Sequence, residues 1–281
     1  MDYRRILTCL DVKAGRLVKG VHFVDLKDVG DPAEAGAAYG AAGADEIVLL
    51  DISATQEDRR AMTDVIRRTS QRVTVPLTAG GGIRSCKDIE DLLAAGADKV
   101  SINTAAVANP DLVSEAAEEF GPETLVISID ARASTKVRSG FEVMTHGGRK
   151  ATGLDAVAWA DEMEARGAGA LLASSMGADG TQAGYDLAMT RAIADAVSVP
   201  VIASGGAGTL EHLYEAIVEG HADAVLVASM AHFKKFKIRQ MKEYLAGRGI
   251  PICMQPLRAS SRITYAEADL DRDSHSAPSQ Q

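Results

Sequence analysis

The chain has 281 residues, with 30 Lys and Arg against 39 Asp and Glu, a net charge of −9. An acidic chain has no overall attraction for nucleic acid or an anionic membrane surface, and 46% hydrophobic with 25% charged residues is the balance of a globular protein. No apolar run approaches the roughly 18 residues of a membrane span, the stretch after Arg5 is too short for a signal-peptide core, and Cys9, Cys86 and Cys253 are too scattered for a disulfide framework or a thiolate metal site, which leaves a cytoplasmic enzyme as the expected class.

Short runs rich in Ile, Val and Leu read as strands at 6–12, 46–52, 77–83, 99–103, 125–129, 170–175, 201–204 and 224–229. Near-continuous apolar runs of this length are what a parallel sheet buried on both faces requires. Helical patterns lie between them. Asp31 is placed to N-cap a helix with Pro32 at its first position, and Ser85 or Asp88 starts another that ends at Ala95-Gly96. Further helices open at Asn109-Pro110, run over 155–166 to stop at Gly167, and open at Thr209 to stop at Gly220. Eight βα units in about 250 residues predict a closed (β/α)8 barrel, with an open doubly wound sheet as the alternative. The barrel is expected to occupy 1–253. Residues 254–281, polar and carrying Pro256 and Pro278, read as a disordered tail with a short helix in 265–270.

The chain repeats itself. Residues 6–11 resemble 126–130, 79–83 echo 203–208, and 96–100 echo 221–225. Self-similarity at about half the chain length predicts two half-barrels and a two-fold-related site at the barrel mouth.

Candidate site residues follow from strand ends. Gly80-Gly81-Gly82 and Gly205-Gly206-Ala207-Gly208 each follow a predicted strand, where glycine lets backbone N–H groups approach an anion. Each is answered one strand later by a small polar end, Asn103-Thr104 and Ala228-Ser229. Two such clusters in equivalent half-barrel positions predict a ligand with a phosphate at each end. Asp11 and Asp130 end buried strands and would face each other across the mouth, placed for general acid and base roles. Lys19, expected in a polar loop over 13–20, could reach over the same site, and Asp51 and Asp179-Gly180 share the strand-end logic. At the opposite end Arg5, Glu46 and Lys99 enter the barrel core, where charges must pair. The six histidines show neither HxH nor HExxH spacing, so no metal site is expected, and each reads as a surface or loop residue. No GxSxG elbow is present.

At these residues the chain resembles the cyclase subunit family of imidazole glycerol phosphate synthase. The resemblance runs through Leu10-Asp11-Val12-Lys13, Gly80-Gly81-Gly82-Ile83, Ala97-Asp98-Lys99-Val100-Ser101-Ile102-Asn103-Thr104, Asp179-Gly180-Thr181 and Ala203-Ser204-Gly205-Gly206, and covers roughly residues 4 to 253. It implies a (β/α)8 barrel of histidine biosynthesis. The enzyme would use ammonia from a glutaminase subunit, in a heterodimer, to turn a bisphosphorylated ribulosyl formimino nucleotide into imidazole glycerol phosphate and AICAR, without a cofactor. It implies Asp11 and Asp130 as the acid–base pair and Lys19 in a mobile loop. Gly82, Asn103 and Thr104 would form one phosphate site, and Gly180, Gly205, Gly206, Ala228 and Ser229 the other. It also implies Arg5, Glu46 and Lys99 as an ammonia gate, with Asp98 on the docking surface. The chain departs from the family at Ala170, where Glu is usual, at Gly177-Ala178, where Asp-Arg is usual, and at Met230-Ala231 before His232. A paralogous aminating barrel and a silent partner-binding barrel are the alternatives.

Overall fold

The apolar runs become strands, and the parallel strands close on themselves. The computed structural model describes residues 3–21, 24–54, 62–232 and 235–255, and of 19–21 and 24–27 the backbone alone. The expected tail thus lies outside the described residues from 256 onward. In chain order the elements are β1 (Arg5–Lys13), β2 (Arg16–Val21), β3 (Val24–Gly30), α1 (Pro32–Ala41), β4 (Glu46–Asp51), α2 (Thr63–Ser70), β5 (Leu77–Gly80), α3 (Cys86–Ala94), β6 (Lys99–Ile102), α4 (Thr104–Ala108) and α5 (Asp111–Phe120). The second half holds β7 (Leu125–Ala133), β8 (Phe141–Thr145), β9 (Lys150–Asp155), α6 (Ala156–Ala165), β10 (Ala170–Ser175), α7 (Leu187–Ala194), β11 (Val201–Ser204), α8 (Leu210–Val218), β12 (Ala224–Val227), α9 (Ser229–His232) and α10 (Ile238–Gly247).

Going round the barrel the parallel order is β1, β4, β5, β6, β7, β10, β11, β12, with β12 paired back to β1. This is a (β/α)8 barrel, as expected. Side-chain alternation divides the core in two. Leu7, Cys9, Val48, Val126, Leu172 and Leu226 point into the barrel and form one apolar cluster. Their neighbours Ile6, Leu10, Ile47, Leu49, Ile127 and Leu171 point outward and pack under the helices. A strand buried on both faces needs apolar residues on both, which is why these runs show no regular polar alternation.

Helix starts fall where the caps predict. Asp31 accepts from the Ala33 and Glu34 N–H groups, Ser85 from Asp88, Asp155 from Val157 and Ala158, and Thr209 from His212.

Three strand boundaries differ from expectation by two residues or more. The strand expected over 77–83 ends at Gly80, because Gly81 turns the chain at φ 97°, and a Cβ there would stand 2.3 Å from the Asp51 carbonyl oxygen. The run at 224–229 ends at Val227, since Ser229 opens α9. The run at 125–129 continues to Ala133 because β8 pairs with its end. Asp11 and Asp130 therefore lie within β1 and β7, not at their tips. Two antiparallel hairpins were not foreseen: β2–β3 follows β1, and β8–β9 follows β7. They occupy equivalent places in the two halves and so bear out the repeat.

Candidate active site

A cavity of about 170 Å³ opens at the C-terminal ends of the barrel strands. Asp11 and Asp130 both line it. Their strands stand four places apart in the eight-strand ring, so the two carboxyl groups enter from opposite walls. Asp130 is half-buried, and its Oδ1 accepts from the Ser128 hydroxyl at 3.4 Å. Burial pushes its carboxyl up to about 7. The Asp179 charge adds to the rise, and hydrogen bonds from Ser128 and Asn103 oppose it. On the other wall the Cys9 thiol donates to Asp11 Oδ1 at 3.3 Å. Cys9 is buried and touches a carboxylate of the cavity.

The two ends of the cavity are built alike. At one end Gly81 and Gly82 leave β5 with φ 97° and 74°, and α4 begins beside them at Thr104. At the other Gly205 and Gly206 leave β11 with φ 87° and 100°, and α9 begins at Ser229. All line the cavity, with Asn103, Gly180 and Ala228. At Gly206 a Cβ would fall 2.0 Å from the Gly184 carbonyl oxygen, so no other residue fits that turn. The Thr104 hydroxyl accepts from the His146 N–H at 3.1 Å. Asn103 Nδ2 reaches the Met144 carbonyl at 3.5 Å, while its buried Oδ1 accepts no hydrogen bond among the described residues.

Asp51 and Asp179 also line the cavity. Asp51 is turned to its own loop, with Oδ1 accepting from the Ser53 N–H, the Ser53 hydroxyl and the Ala54 N–H. Lys19 lies on β2, opposite Lys27 in register, and not in a loop; its side chain is outside the described residues.

The barrel's other end holds the second predicted set. Glu46 is almost wholly buried and accepts from Arg5 Nη1 at 3.3 Å, Lys99 Nζ at 2.8 Å and the Thr78 hydroxyl at 2.6 Å. The charges pair, as burial requires. Ala170 faces the same interior, in the apolar cluster. Asp98 Oδ2 accepts from the Leu77 N–H at 2.8 Å on this face.

A family model described as "Histidine biosynthesis protein" matches residues 5–237. The chain belongs to this family. It is an enzyme of that pathway, in keeping with a barrel whose strand ends form one cavity. Among its relatives is imidazole glycerol phosphate synthase subunit HisF of Thermosynechococcus vestitus, 58% identical over 252 residues, which are 89% of this chain and 90% of that protein. Proteins of the same name from Trichormus variabilis and Microcystis aeruginosa are each 56% identical over 250 residues, 89% of this chain and 97% and 98% of theirs.

Sequence reasoning passed over several walls of this cavity. Ser101, Ser128, Ser174 and Ser204 line it from β6, β7, β10 and β11. Ser128 stands two residues before Asp130, so counting back by the strand period of two from that carboxylate would have found it. His146, read as an ordinary loop histidine, lines the cavity with a left-handed backbone at φ 55°. His232 is no loop histidine either, since both of its ring nitrogens are engaged inside the fold. No cluster of His, Cys, Asp or Glu suited to a metal ion occurs among the described residues.

Proposed function

We propose that the chain is the cyclase subunit of imidazole glycerol phosphate synthase, using ammonia to convert a bisphosphorylated ribulosyl formimino nucleotide into imidazole glycerol phosphate and AICAR. The observation that carries this reading is one cavity with two carboxyl groups on opposite walls and the same glycine turn and short helix at both ends. A doubly phosphorylated substrate has that symmetry. Gly81, Gly82, Asn103 and Thr104 hold one phosphate, and Gly180, Gly205, Gly206, Ala228 and Ser229 the other, mainly through backbone N–H groups. Local donors of this kind, with Lys19, serve an acidic protein without a basic surface. Asp51 and Asp179 shape the walls between them.

Asp130 is the general acid: its burial lifts the carboxyl to about 7, so a proton is available there near neutrality. Asp11, on the opposite wall, takes the base role. The buried Asn103 Oδ1 offers an acceptor to a substrate N–H or O–H. Ammonia enters at the other end, where Arg5, Glu46 and Lys99 form the gate, from a glutaminase docked on the face that bears Asp98. No helix among the described residues is long and apolar enough to cross a membrane, and the reading places the heterodimer in the cytoplasm with no cofactor.

The test is to give the chain alone the bisphosphate nucleotide with an ammonium salt. Equal yields of imidazole glycerol phosphate and AICAR are expected. Tight substrate binding with no product would favour a silent partner-binding barrel instead.

A further inference from the structure

α9 has four residues, too few to hold a helical turn unaided, yet Ala228 and Ser229 at its start form one end of the cavity. The anchor lies at its other end. The β1–β12 ladder stops where Thr8 faces Val227. One residue further along β1 the Cys9 carbonyl oxygen lies 3.0 Å from His232 Nε2. Nδ1 of the same ring lies 2.5 Å from the Tyr39 hydroxyl on α1, and the two rings meet edge to face with centroids 5.2 Å apart. A carbonyl only accepts, so Nε2 carries the proton, and in the neutral ring Nδ1 accepts from Tyr39. The His232 backbone N–H closes the turn on the Ala228 carbonyl at 3.0 Å. A single residue thus joins the cavity turn, the outer helix and the strand that carries Asp11 two residues beyond Cys9.

We propose that His232 is a positioning residue whose imidazole replaces the strand partner that β1 loses after Thr8, and so fixes the Ala228–Ser229 end of the cavity relative to Asp11. What that fixed spacing serves rests on the cyclase reading; that His232 sets it does not.

His232→Leu removes both ring hydrogen bonds. His232→Gln keeps an amide N–H for the Cys9 carbonyl and an oxygen for Tyr39. Three measurements on the whole chain are compared: amide hydrogen exchange along the barrel, affinity for inorganic phosphate, and kcat against KM with ammonium and the nucleotide. In the Leu variant, exchange at 229–232 is expected to rise about tenfold while β5 and β6 are unchanged. Phosphate affinity should fall about fivefold and kcat about tenfold, with most of each loss restored in the Gln variant. Should the Leu variant not fold, Tyr39→Phe is expected to raise exchange at 229–232 about threefold. Unchanged exchange at α9, equal loosening of the whole barrel, or no rescue by Gln would overturn the proposal. Exchange and phosphate binding need no turnover, so an inactive wild type would count against the cyclase reading and leave those two readouts still decisive.

Discussion

Asp130 shows how one buried carboxyl sets function against stability. Its pKa is about 7 in the folded chain, against about 3.9 for an unperturbed aspartate. Between those values the folded state holds a proton that the unfolded state has lost. The contribution of this group to stability is therefore greatest below about pH 4 and declines as pH rises to about 7. At 1.36 kcal/mol per unit, the full effect is on the order of 4 kcal/mol. Asp130→Asn keeps the shape without the charge. We expect it to be more stable than the wild type at pH 8 by on the order of 2–4 kcal/mol, with the difference gone below about pH 4. Urea unfolding at the two pH values checks this, and equal stability at pH 8 would contradict it. Activity should follow the same proton. With free ammonia held constant, kcat/KM of the wild type is expected to fall above about pH 7, as the acid loses its proton.

Elements are fastened at the barrel's N-terminal face by a repeated device. The Ala-Asp steps before β4, β6 and β12 place Asp45, Asp98 and Asp223 so that each Oδ2 accepts an N–H at the start of a neighbouring strand, Ile6 at 2.8 Å, Leu77 at 2.8 Å and Val201 at 3.0 Å. The step before β10 has Gly169 instead, where a Cβ would fall 2.1 Å from the Pro122 carbonyl oxygen. Asp45 carries a second bond, to Lys242 Nζ at 2.5 Å, and Lys242 also holds the Cys253 carbonyl at 2.8 Å. Both side chains are 1% exposed. Burial pushes the Asp45 carboxyl up, and the Ile6 N–H and Lys242 pull it back. Lys242→Met would strand that carboxylate, an expected loss of about 3–5 kcal/mol. Adding Asp45→Asn should recover part of the loss, and a double-mutant cycle in urea would show it. If the single variant lost less than about 1 kcal/mol, the pair would not be what ties the C-terminal segment to β1.

Elements differ in how far the amino-acid sequence reveals them. The buried parallel strands and the caps Asp31, Ser85, Asp155 and Thr209 were legible, because burial on both faces and capping each leave a local pattern. The hairpins were not. β9 is largely exposed, so its residues carry no apolar alternation to read. Lys242 was equally hidden, since a lysine on a helix announces burial only once its partner across the fold is known.

Across the whole molecule, the constant spacing of Gly81 and Gly205 and of Gly82 and Gly206 maps onto two ends of one cavity, and Asp31 and Asp155, at the same spacing, cap α1 and α6. The glycines and small polar strand ends of the site were therefore legible as a pair, where a single cluster would have been ambiguous. The interior serines and His146 were not, because nothing local distinguishes them from other strand and loop residues.

The far end of the barrel is the less symmetrical one, with two cations on Glu46 and an alanine at 170. A carboxylate there would complete a second ion pair. Ala170→Glu is expected to raise the yield of product per glutamine hydrolysed by the docked glutaminase. An unchanged yield would mean that Ala170 does not loosen the gate.

In the proposed function the two opposed carboxyl groups perform an ammonia-dependent reaction on a ligand held at both ends. Its most direct test compares the wild type with Asp11→Asn, each without a partner and supplied with ammonium and saturating bisphosphate nucleotide. We predict steady turnover by the wild type. Asp11→Asn should lose about a thousandfold or more in kcat while its substrate Kd stays within about threefold. Turnover retained in the variant, or absent from a wild type that binds the nucleotide, would contradict the account.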